Sequence, residues 1–226
     1  MKPHSYLIIG CGHFGSRAAT ELFRKNPLSK ITVVDRNAKA IQGISHLPVE
    51  AIVYDGLPYL NQFLPKGLSV DYIIPAVPFH LAFEFMLLRL NALGARRGKV
   101  PTLPRLPNPS VGKTGDLYTS FADFLCPEDC PEPSQYCTIT GKRRPKPLYK
   151  MLMELQGPFD SKVIRSEQLG PGVGGFRLEV LQGFVKEIGK EMVLHRSGQI
   201  LISTACRCHG VTSGLSFSSA KSRSSE

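Results

Sequence analysis

A glycine-rich turn constrains this chain more than any other feature: Gly10-Cys11-Gly12-His13-Phe14-Gly15 lies between two differently patterned segments. The apolar run Tyr6–Ile9 before it predicts a short buried strand, and Arg17–Arg24 after it predicts a helix. In a G-x-G-x-x-G turn the glycines permit the tight turn, close approach to a pyrophosphate and close packing of the helix. The helix N-terminus then offers N–H groups to phosphates. The turn therefore predicts a dinucleotide site.

An acidic residue follows at the spacing that such a site requires. Asp35 comes after the predicted strand Ile31–Val34, where its carboxylate can accept both ribose hydroxyls of the cofactor. This favours NAD over NADP because a carboxylate repels a 2′-phosphate, whereas the adjacent Arg36 could pair with that phosphate. We expect the six residues of the turn, Asp35 and Arg36 to bind the cofactor, with NAD preferred.

The first hundred residues alternate strand and helix signals, which is typical of a parallel sheet with helical crossovers. The further predicted strands are Val49–Tyr54 and Tyr72–Ile74, and the further helices are Ala38–Ile44 and Leu81–Leu90. The sequence thus predicts an α/β fold with a Rossmann-type sheet and a smaller cysteine-containing α/β part. The expected segments are a dinucleotide domain (1–100), a proline-rich linker (101–125), a cysteine-containing module (126–212) and a frayed serine-rich tail (213–226).

Three stretches of the sequence resemble those of a known family, namely Leu7–Gly15, Val33-Val34-Asp35-Arg36 and Val53-Tyr54-Asp55-Gly56. They resemble the TrkA-N (RCK N-terminal) family of NAD-binding domains over about the first ninety residues. The resemblance implies nucleotide-dependent regulation, which in that family acts on potassium channels and transporters. Saccharopine-dehydrogenase-like proteins open similarly, and residues 71–78 resemble their fourth strand. No recognisable ligand-binding domain of the TrkA-N type follows; a cysteine module stands in its place.

The cysteines form the second unusual feature. Five of the six lie in two clusters, the first with Cys126, Cys130 and Cys137 and the second with Cys206 and Cys208, followed by His209. Thiolates bind zinc and iron–sulfur clusters, and either needs three or four converging ligands. We expect Cys126, Cys130 and Cys137 to be ligands, with the fourth from Cys206, Cys208 or His209. Neighbouring prolines slightly favour iron–sulfur over zinc, and buried unliganded cysteines are the alternative.

Charge and hydropathy narrow the class of protein. The formal net charge is +10, yet the basic residues are spread along the chain without a nucleic-acid-binding signature, so anionic ligands such as phosphates are the better explanation. The apolar stretch Val70–Leu90 is interrupted by charged residues and prolines, which a membrane span tolerates poorly. No secretory signal is visible. We expect a soluble, cytoplasmic protein that binds no nucleic acid.

Three functions remain open. The first is a regulatory NAD(H)-binding protein with a metal- or redox-sensing cysteine module. The second is an NAD-dependent oxidoreductase coupling the nicotinamide to an iron–sulfur centre or a small substrate; His80, after the fourth strand, is its weak acid/base candidate. The third is a zinc-stapled interaction protein. Because no catalytic set can be assigned, the first function is slightly favoured. The partner, whether a membrane transporter, a redox protein or a second copy of the chain, stays open.

Overall fold

The computed structural model describes residues 3–67, 69–132, 135–144, 146–195 and 197–218. These residues divide into two compact units. The described residues of Met1–Leu81, Cys126–Pro133 and Ser166–Glu179 form unit 1, and those of Ala82–Leu125, Ser134–Arg165 and Val180–Glu226 form unit 2. Each unit is therefore built from three separate stretches, whereas the sequence predicted contiguous segments.

Within the described residues the chain forms twelve strands, six α-helices and one short 3-10 helix (Asn91–Leu93). The strands are β1 (Ser5–Ile9), β2 (Lys30–Asp35), β3 (Glu50–Val53), β4 (Tyr72–Pro75), β5 (Ala95–Gly98), β6 (Ser110–Val111), β7 (Leu117–Ser120), β8 (Asp160–Arg165), β9 (Glu167–Gly170), β10 (Val173–Arg177), β11 (Ser197–Ala205) and β12 (His209–Ser218). The helices are α1 (His13–Lys25), α2 (Ala38–Gly43), α3 (Gly56–Phe63), α4 (Leu81–Leu90), α5 (Leu148–Met153) and α6 (Leu178–Leu194).

Unit 1 contains a six-stranded sheet in the order β3-β2-β1-β4-β10-β9. Strands β1 to β4 are parallel, and β10 joins β4 in the antiparallel sense. The order reverses direction next to β1, so the carboxyl ends of β1 and β4 open a crevice at the place where α/β sheets bind ligands. The α/β class and the Rossmann-type sheet predicted from the sequence are confirmed.

The core of unit 1 forms where α1 packs on the sheet. Ala19 and Leu22 of α1 lie against Ile8 of β1 and Val33 of β2, and all four side chains are at most 1% exposed. Because these side chains recur at helical spacing in α1 and at alternate positions in the strands, one face of each element is apolar. This packing fixes the start of α1 relative to the ends of β1 and β2.

Unit 2 contains a second sheet in the order β6-β7-β12-β11-β8, with β5 also paired to β12. One edge of β12 is shared: His209–Thr212 pair with β7, and Gly214–Phe217 pair with β5. The hairpin β11–β12 is the centre of this sheet, and the hairpin's connecting turn holds Cys206-Arg207-Cys208.

A charged network lies within unit 2. Asp116 is 1% exposed and accepts hydrogen bonds from Arg97 (2.8 Å), Ser213 and Thr114, and Arg97 also pairs with Glu84. Burial raises the pKa of Asp116, but the hydroxyls of Ser213 and Thr114 and the charge of Arg97 outweigh it, so the pKa lies below its usual value. The carboxylate is thus a fully paired buried charge.

Two expectations for the second half differ from the structure. The predicted linker 101–125 contains β6 and β7, and Leu103, Leu106 and Leu117 contribute to the core of unit 2. The predicted tail from 213 is strand as far as Ser218, and residues 219–226 lie outside the described residues.

Candidate nucleotide site and the cysteine turns

The first and third glycines of the turn are required by the fold itself. Gly10 has a φ of +100°, and a Cβ there would lie 2.3 Å from the carbonyl oxygen of Ala76. A Cβ on Gly15 would lie 1.9 Å from the carbonyl oxygen of Gly10. Both distances are far inside van der Waals contact, so larger residues would push α1 away from β1 and β4.

Gly12 differs from both, because a Cβ there would meet nothing within 4 Å among the described residues. Gly12 is the N-cap of α1 and supplies no capping side chain, so no side chain at this position occupies the positive end of the helix dipole. No steric conflict among the described residues explains a glycine at this position. A cradle that a side chain would fill, at a helix N-terminus, fits a pyrophosphate.

Asp35 connects the end of β2 to the glycine turn. Its Oδ2 accepts a 2.5 Å hydrogen bond from the backbone N–H of Cys11, and its Oδ1 accepts one of 2.7 Å from Asn37. The carboxylate is half-buried and lines the cavity described next. One carboxylate therefore both fixes the turn and presents acceptors to a ligand.

A cavity of about 500 Å³ lies at the carboxyl ends of the strands of unit 1, within the size range of small-molecule sites. Four predicted residues line it, namely Gly10, Gly12, Asp35 and Arg36. Two that the sequence reasoning did not assign, Asp55 and Gly56, line it from the start of α3, together with the segment after β4. The signal for Asp55 was present, since Asp-Gly follows the third predicted strand and Asp55 caps α3 by accepting from the N–H of Leu57.

The other predicted residues of the turn have different surroundings. Cys11 is 3% exposed and its Sγ donates to the carbonyl of Ala40 at 3.3 Å; burial, with the nearby charge of Asp35, raises the pKa of its thiol. His13 and Phe14 are exposed and, like Cys11 and Gly15, do not line the cavity among the described residues. These four residues belong to the turn but not to the wall of the cavity.

The segment Cys126–Glu132 contacts the first turn of α1 within unit 1. Its Glu128 Oε1 lies 2.8 Å from Nε2 of His13, and the Glu128 carbonyl accepts a 2.6 Å bond from Arg17. The carbonyl of Cys130 accepts bonds from Gln168 Nε2 (2.7 Å) and the Gly172 N–H (3.3 Å). An acidic side chain is therefore held next to the glycine turn, a contact that the sequence reasoning missed.

None of the six cysteines, all of which the structure describes, forms a disulfide. Cys126 and Cys130 belong to unit 1, whereas Cys137, Cys206 and Cys208 belong to unit 2. In the part of the chain that the structure describes, no three His, Cys, Asp or Glu side chains are already placed to hold a metal ion.

Cys137 begins a small hairpin turn that is closed by the bridge between Tyr136 and Arg143. The Sγ of Cys137 accepts hydrogen bonds from the hydroxyl and backbone N–H of Thr140 and from the backbone N–H of Ile139, and the guanidinium of Arg144 is nearby. These donors lower the pKa of Cys137 to about 7, although burial opposes them. The turn therefore stabilises a thiolate.

Cys206 begins the turn of the β11–β12 hairpin. Its Sγ accepts hydrogen bonds from the backbone N–H groups of Cys208 and His209, each at 3.3 Å, and lies 3.8 Å from Nδ1 of His209. Cys208 is 2% exposed, and its Sγ accepts a hydrogen bond from Arg144. The two sulfurs of this turn thus have different partners.

His80, the acid/base candidate, is 3% exposed and is not among the described residues that line the cavity, whose lining includes its neighbour Phe79. Within the described residues, no helix is both long and apolar enough to cross a lipid bilayer.

Two different families match the two ends of the chain, and the second match begins at residue 82, where the first stretch of unit 2 also begins. Residues 6–57 match the TrkA-N domain, which confirms the resemblance predicted from the sequence and makes this part a dinucleotide-binding domain. Residues 82–218 match a family described as "Uncharacterized protein, C-terminal domain". A relative from Archaeoglobus fulgidus, named "Uncharacterized protein", is 29% identical over 224 residues, covering 92% of this chain and 98% of its own. No solved structure matches the chain.

Proposed function

The chain belongs to the family described as "Uncharacterized protein, C-terminal domain", preceded here by a TrkA-N domain, and we propose that it is a regulatory protein that binds NAD(H). One observation carries the proposal: the open face of Gly12 and the carboxylate of Asp35 line the same cavity. That combination provides a place for a pyrophosphate and an acceptor for a ribose within one site.

The residues present fit the cofactor in three places. The N-terminus of α1 with Gly12 would hold the pyrophosphate, and Asp35 would accept the ribose hydroxyls. Asp55, at the start of α3, adds a second carboxylate to the cavity wall. Bound NAD supplies a hydride acceptor, and NADH a hydride donor. A sensor needs only to distinguish these two forms, and it requires no catalytic residue.

NAD is the preferred form in this proposal. The carboxylate of Asp35 would repel a 2′-phosphate, and its two acceptor oxygens match the two hydroxyls of an unmodified ribose. Arg36 is exposed at the cavity edge and is the residue that would accommodate NADP. Because Asp35 is anchored by two backbone N–H groups and Arg36 is on the surface, the fixed carboxylate supports NAD.

The regulated process is proposed from the TrkA-N resemblance, with potassium transport as the candidate. The protein would bind NAD(H) in the cytoplasm. A transport protein or a redox protein would receive the signal.

Calorimetric titration of the full chain with NAD⁺, NADH, NADP⁺ and NADPH tests the proposal. We expect NAD⁺ or NADH to bind in the micromolar range or tighter, and Gly12→Val to abolish binding because the side chain would fill the pyrophosphate cradle. Gly43→Val is the matched control: a Cβ at Gly43 also meets open space, but Gly43 is at the end of α2 and does not line the cavity.

Absence of binding by every dinucleotide to the folded chain would overturn the proposal. Equal loss of binding in Gly43→Val and Gly12→Val would show that destabilisation, not cradle filling, is responsible. Steady NADH oxidation without an added partner would instead favour the oxidoreductase alternative.

A further inference from the structure

The segment Cys126–Glu132, here called the strap, packs in a different unit from the chain on either side of it. The chain belongs to unit 2 up to Leu125, and the described residues from 135 to 144 belong to unit 2 again. The strap itself belongs to unit 1. The backbone therefore joins a segment that is packed in unit 1 to unit 2 in both chain directions.

Hydrogen bonds hold the strap against α1 and the turn between β9 and β10. Arg17 donates to the carbonyls of Glu128 (2.6 Å) and Pro171 (3.1 Å), so one guanidinium joins the strap to this turn. The carbonyl of Cys130 accepts a 3.3 Å hydrogen bond from the backbone N–H of Gly172. Because these bonds end on carbonyl groups of the strap, they fix its backbone in place.

Gly172 is the residue that lets the strap approach this closely. Its φ is +64°, and a Cβ there would lie 1.5 Å from the carbonyl oxygen of Glu128 and 2.8 Å from Nη1 of Arg17. Both distances are far inside van der Waals contact. A side chain at position 172 would therefore push the strap away from α1, and only glycine allows the observed packing.

The strap brings a carboxylate to the helix end that the proposed ligand needs. Oε1 of Glu128 lies 2.8 Å from Nε2 of His13, the first residue of α1. The pyrophosphate of a dinucleotide would lie at the same end of α1, next to Gly12. Two anionic groups at one helix end repel each other, and salt weakens this repulsion because both side chains are more than half exposed. A bound dinucleotide and the packed strap therefore disfavour each other.

We propose that the strap carries the state of the nucleotide site to unit 2: dinucleotide binding displaces Glu128 from His13 and releases the strap from α1. The inference rests on the proposed function, since it requires NAD at the glycine turn. Binding favours the released strap, and by linkage a released strap favours binding. Beyond the strap, the carbonyl of Gln135 accepts a 2.7 Å hydrogen bond from the backbone N–H of Arg144, and release weakens this bond in unit 2.

Hydrogen exchange of the full chain with and without saturating NAD⁺, measured by mass spectrometry, tests the release. We expect peptides that contain the strap or the Gly172 amide to exchange at least about tenfold faster when NAD⁺ is bound, because opening exposes their amides to water. Peptides that contain the Arg144 amide should also exchange faster. Unchanged or slower exchange of the strap, or a change that does not reach Arg144, would overturn the proposal.

Gly172→Ala should release the strap without a ligand. We expect the strap of the unliganded variant to exchange as fast as that of the NAD-bound wild type, and NAD⁺ to bind about fivefold more tightly. Gly67→Ala is the matched control, because it places a Cβ at a φ of +88° in unit 1 that meets nothing within 4 Å among the described residues. It should change neither exchange of the strap nor affinity. Equal effects of the two substitutions, or weaker NAD⁺ binding by a folded Gly172→Ala, would contradict the release.

Calorimetric titration distinguishes failure of this inference from failure of the proposed function. If no dinucleotide binds to the folded chain, both are overturned. If NAD⁺ binds and exchange of the strap does not change, only the release is overturned and NAD binding stands. The exchange measurement uses the wild type, so this distinction does not depend on how the variants fold.

Discussion

The backbone N–H of Cys11 donates a 2.5 Å hydrogen bond to Oδ2 of Asp35, although 24 residues separate them in the chain. This bond joins the glycine turn after β1 to the acid at the end of β2. The hydrogen bond therefore fixes the position of the turn relative to the carboxylate of Asp35, and a ligand contacts both in a defined geometry. Preorganisation of this kind lowers the entropic cost of binding.

Replacing Asp35 by asparagine should change cofactor preference. The amide keeps an acceptor for the turn but removes the charge and one ribose acceptor. We expect NAD affinity to fall about 10- to 100-fold, as for loss of a charge-assisted hydrogen bond, and NADP affinity to rise relative to NAD. Calorimetric titration with both cofactors checks this.

Arg36 provides the control for that change. If Arg36 pairs with the 2′-phosphate, Arg36→Ala combined with Asp35→Asn should remove the gained NADP affinity. An unchanged preference for NAD in Asp35→Asn would show that the carboxylate does not face the ribose.

Substitutions at Gly10 and Gly12 should separate an effect on stability from an effect on cofactor binding. Gly10→Ala introduces a Cβ 2.3 Å from the Ala76 carbonyl at a φ of +100°, so we expect it to destabilise unit 1 by about 2–5 kcal/mol. Gly12→Ala meets open space and should cost only about 1 kcal/mol as an N-cap change, while it weakens NAD binding more than tenfold. Urea unfolding and NAD titration, run on both variants, measure the two effects. Equal destabilisation by the two would contradict this assignment.

The nucleotide site could be predicted because its signals are local. The turn, the helix after it and Asp35 follow one another within thirty-odd residues, and each has its own physical reason. The contact between His13 and Glu128 could not be predicted, because 115 residues separate them and neither residue carries a pattern. Asp55 could have been predicted in the same way as Asp35, because it is an acidic residue that follows a strand and caps the next helix.

The C-terminal part shows why composition alone does not predict its secondary structure. Prolines in 101–109 indicated a linker, yet Leu103 and Leu106 are each 8% exposed in the core of unit 2. Two buried positions of β12 are polar: Thr212 pairs with Ser203, and Ser213 donates to Asp116, whereas Leu215 and Phe217 are its buried apolar residues. Paired hydroxyls can be buried at low cost, so these positions interrupt the apolar pattern without preventing a strand.

Removing the charge of Glu128 should tighten dinucleotide binding. Its carboxylate lies 2.8 Å from His13 in the glycine turn, where it competes with an anionic ligand for the positive end of α1. We expect Glu128→Gln to strengthen NAD binding about threefold at low salt, an effect that shrinks as salt screens it, since both side chains are more than half exposed. Calorimetry at two salt concentrations checks this.

The adjacent Asp129 is the matched control for Glu128. It is exposed, and Asp129→Asn makes the same charge change one residue away. Only a small change in NAD affinity is expected for it. Weaker binding in Glu128→Gln would mean that the contact with His13 supports the turn instead of competing with the ligand.

Asp116 should make unit 2 sensitive to acid. Its pKa in the folded protein lies below the unfolded value of about 3.9, so the unfolded chain binds its proton first as the pH falls. The stabilisation is complete above that unfolded value and is lost as the pH falls through the folded pKa. Asp116→Asn removes the buried charge opposite Arg97 and should cost about 3 kcal/mol at pH 7. Urea unfolding should show a constant stability difference between wild type and variant from pH 7 to about pH 4 and a narrowing difference below that pH, because a protonated carboxyl resembles the amide. A difference that does not narrow as the pH falls further below 4 would show that Asp116 acts through its shape and not through its charge.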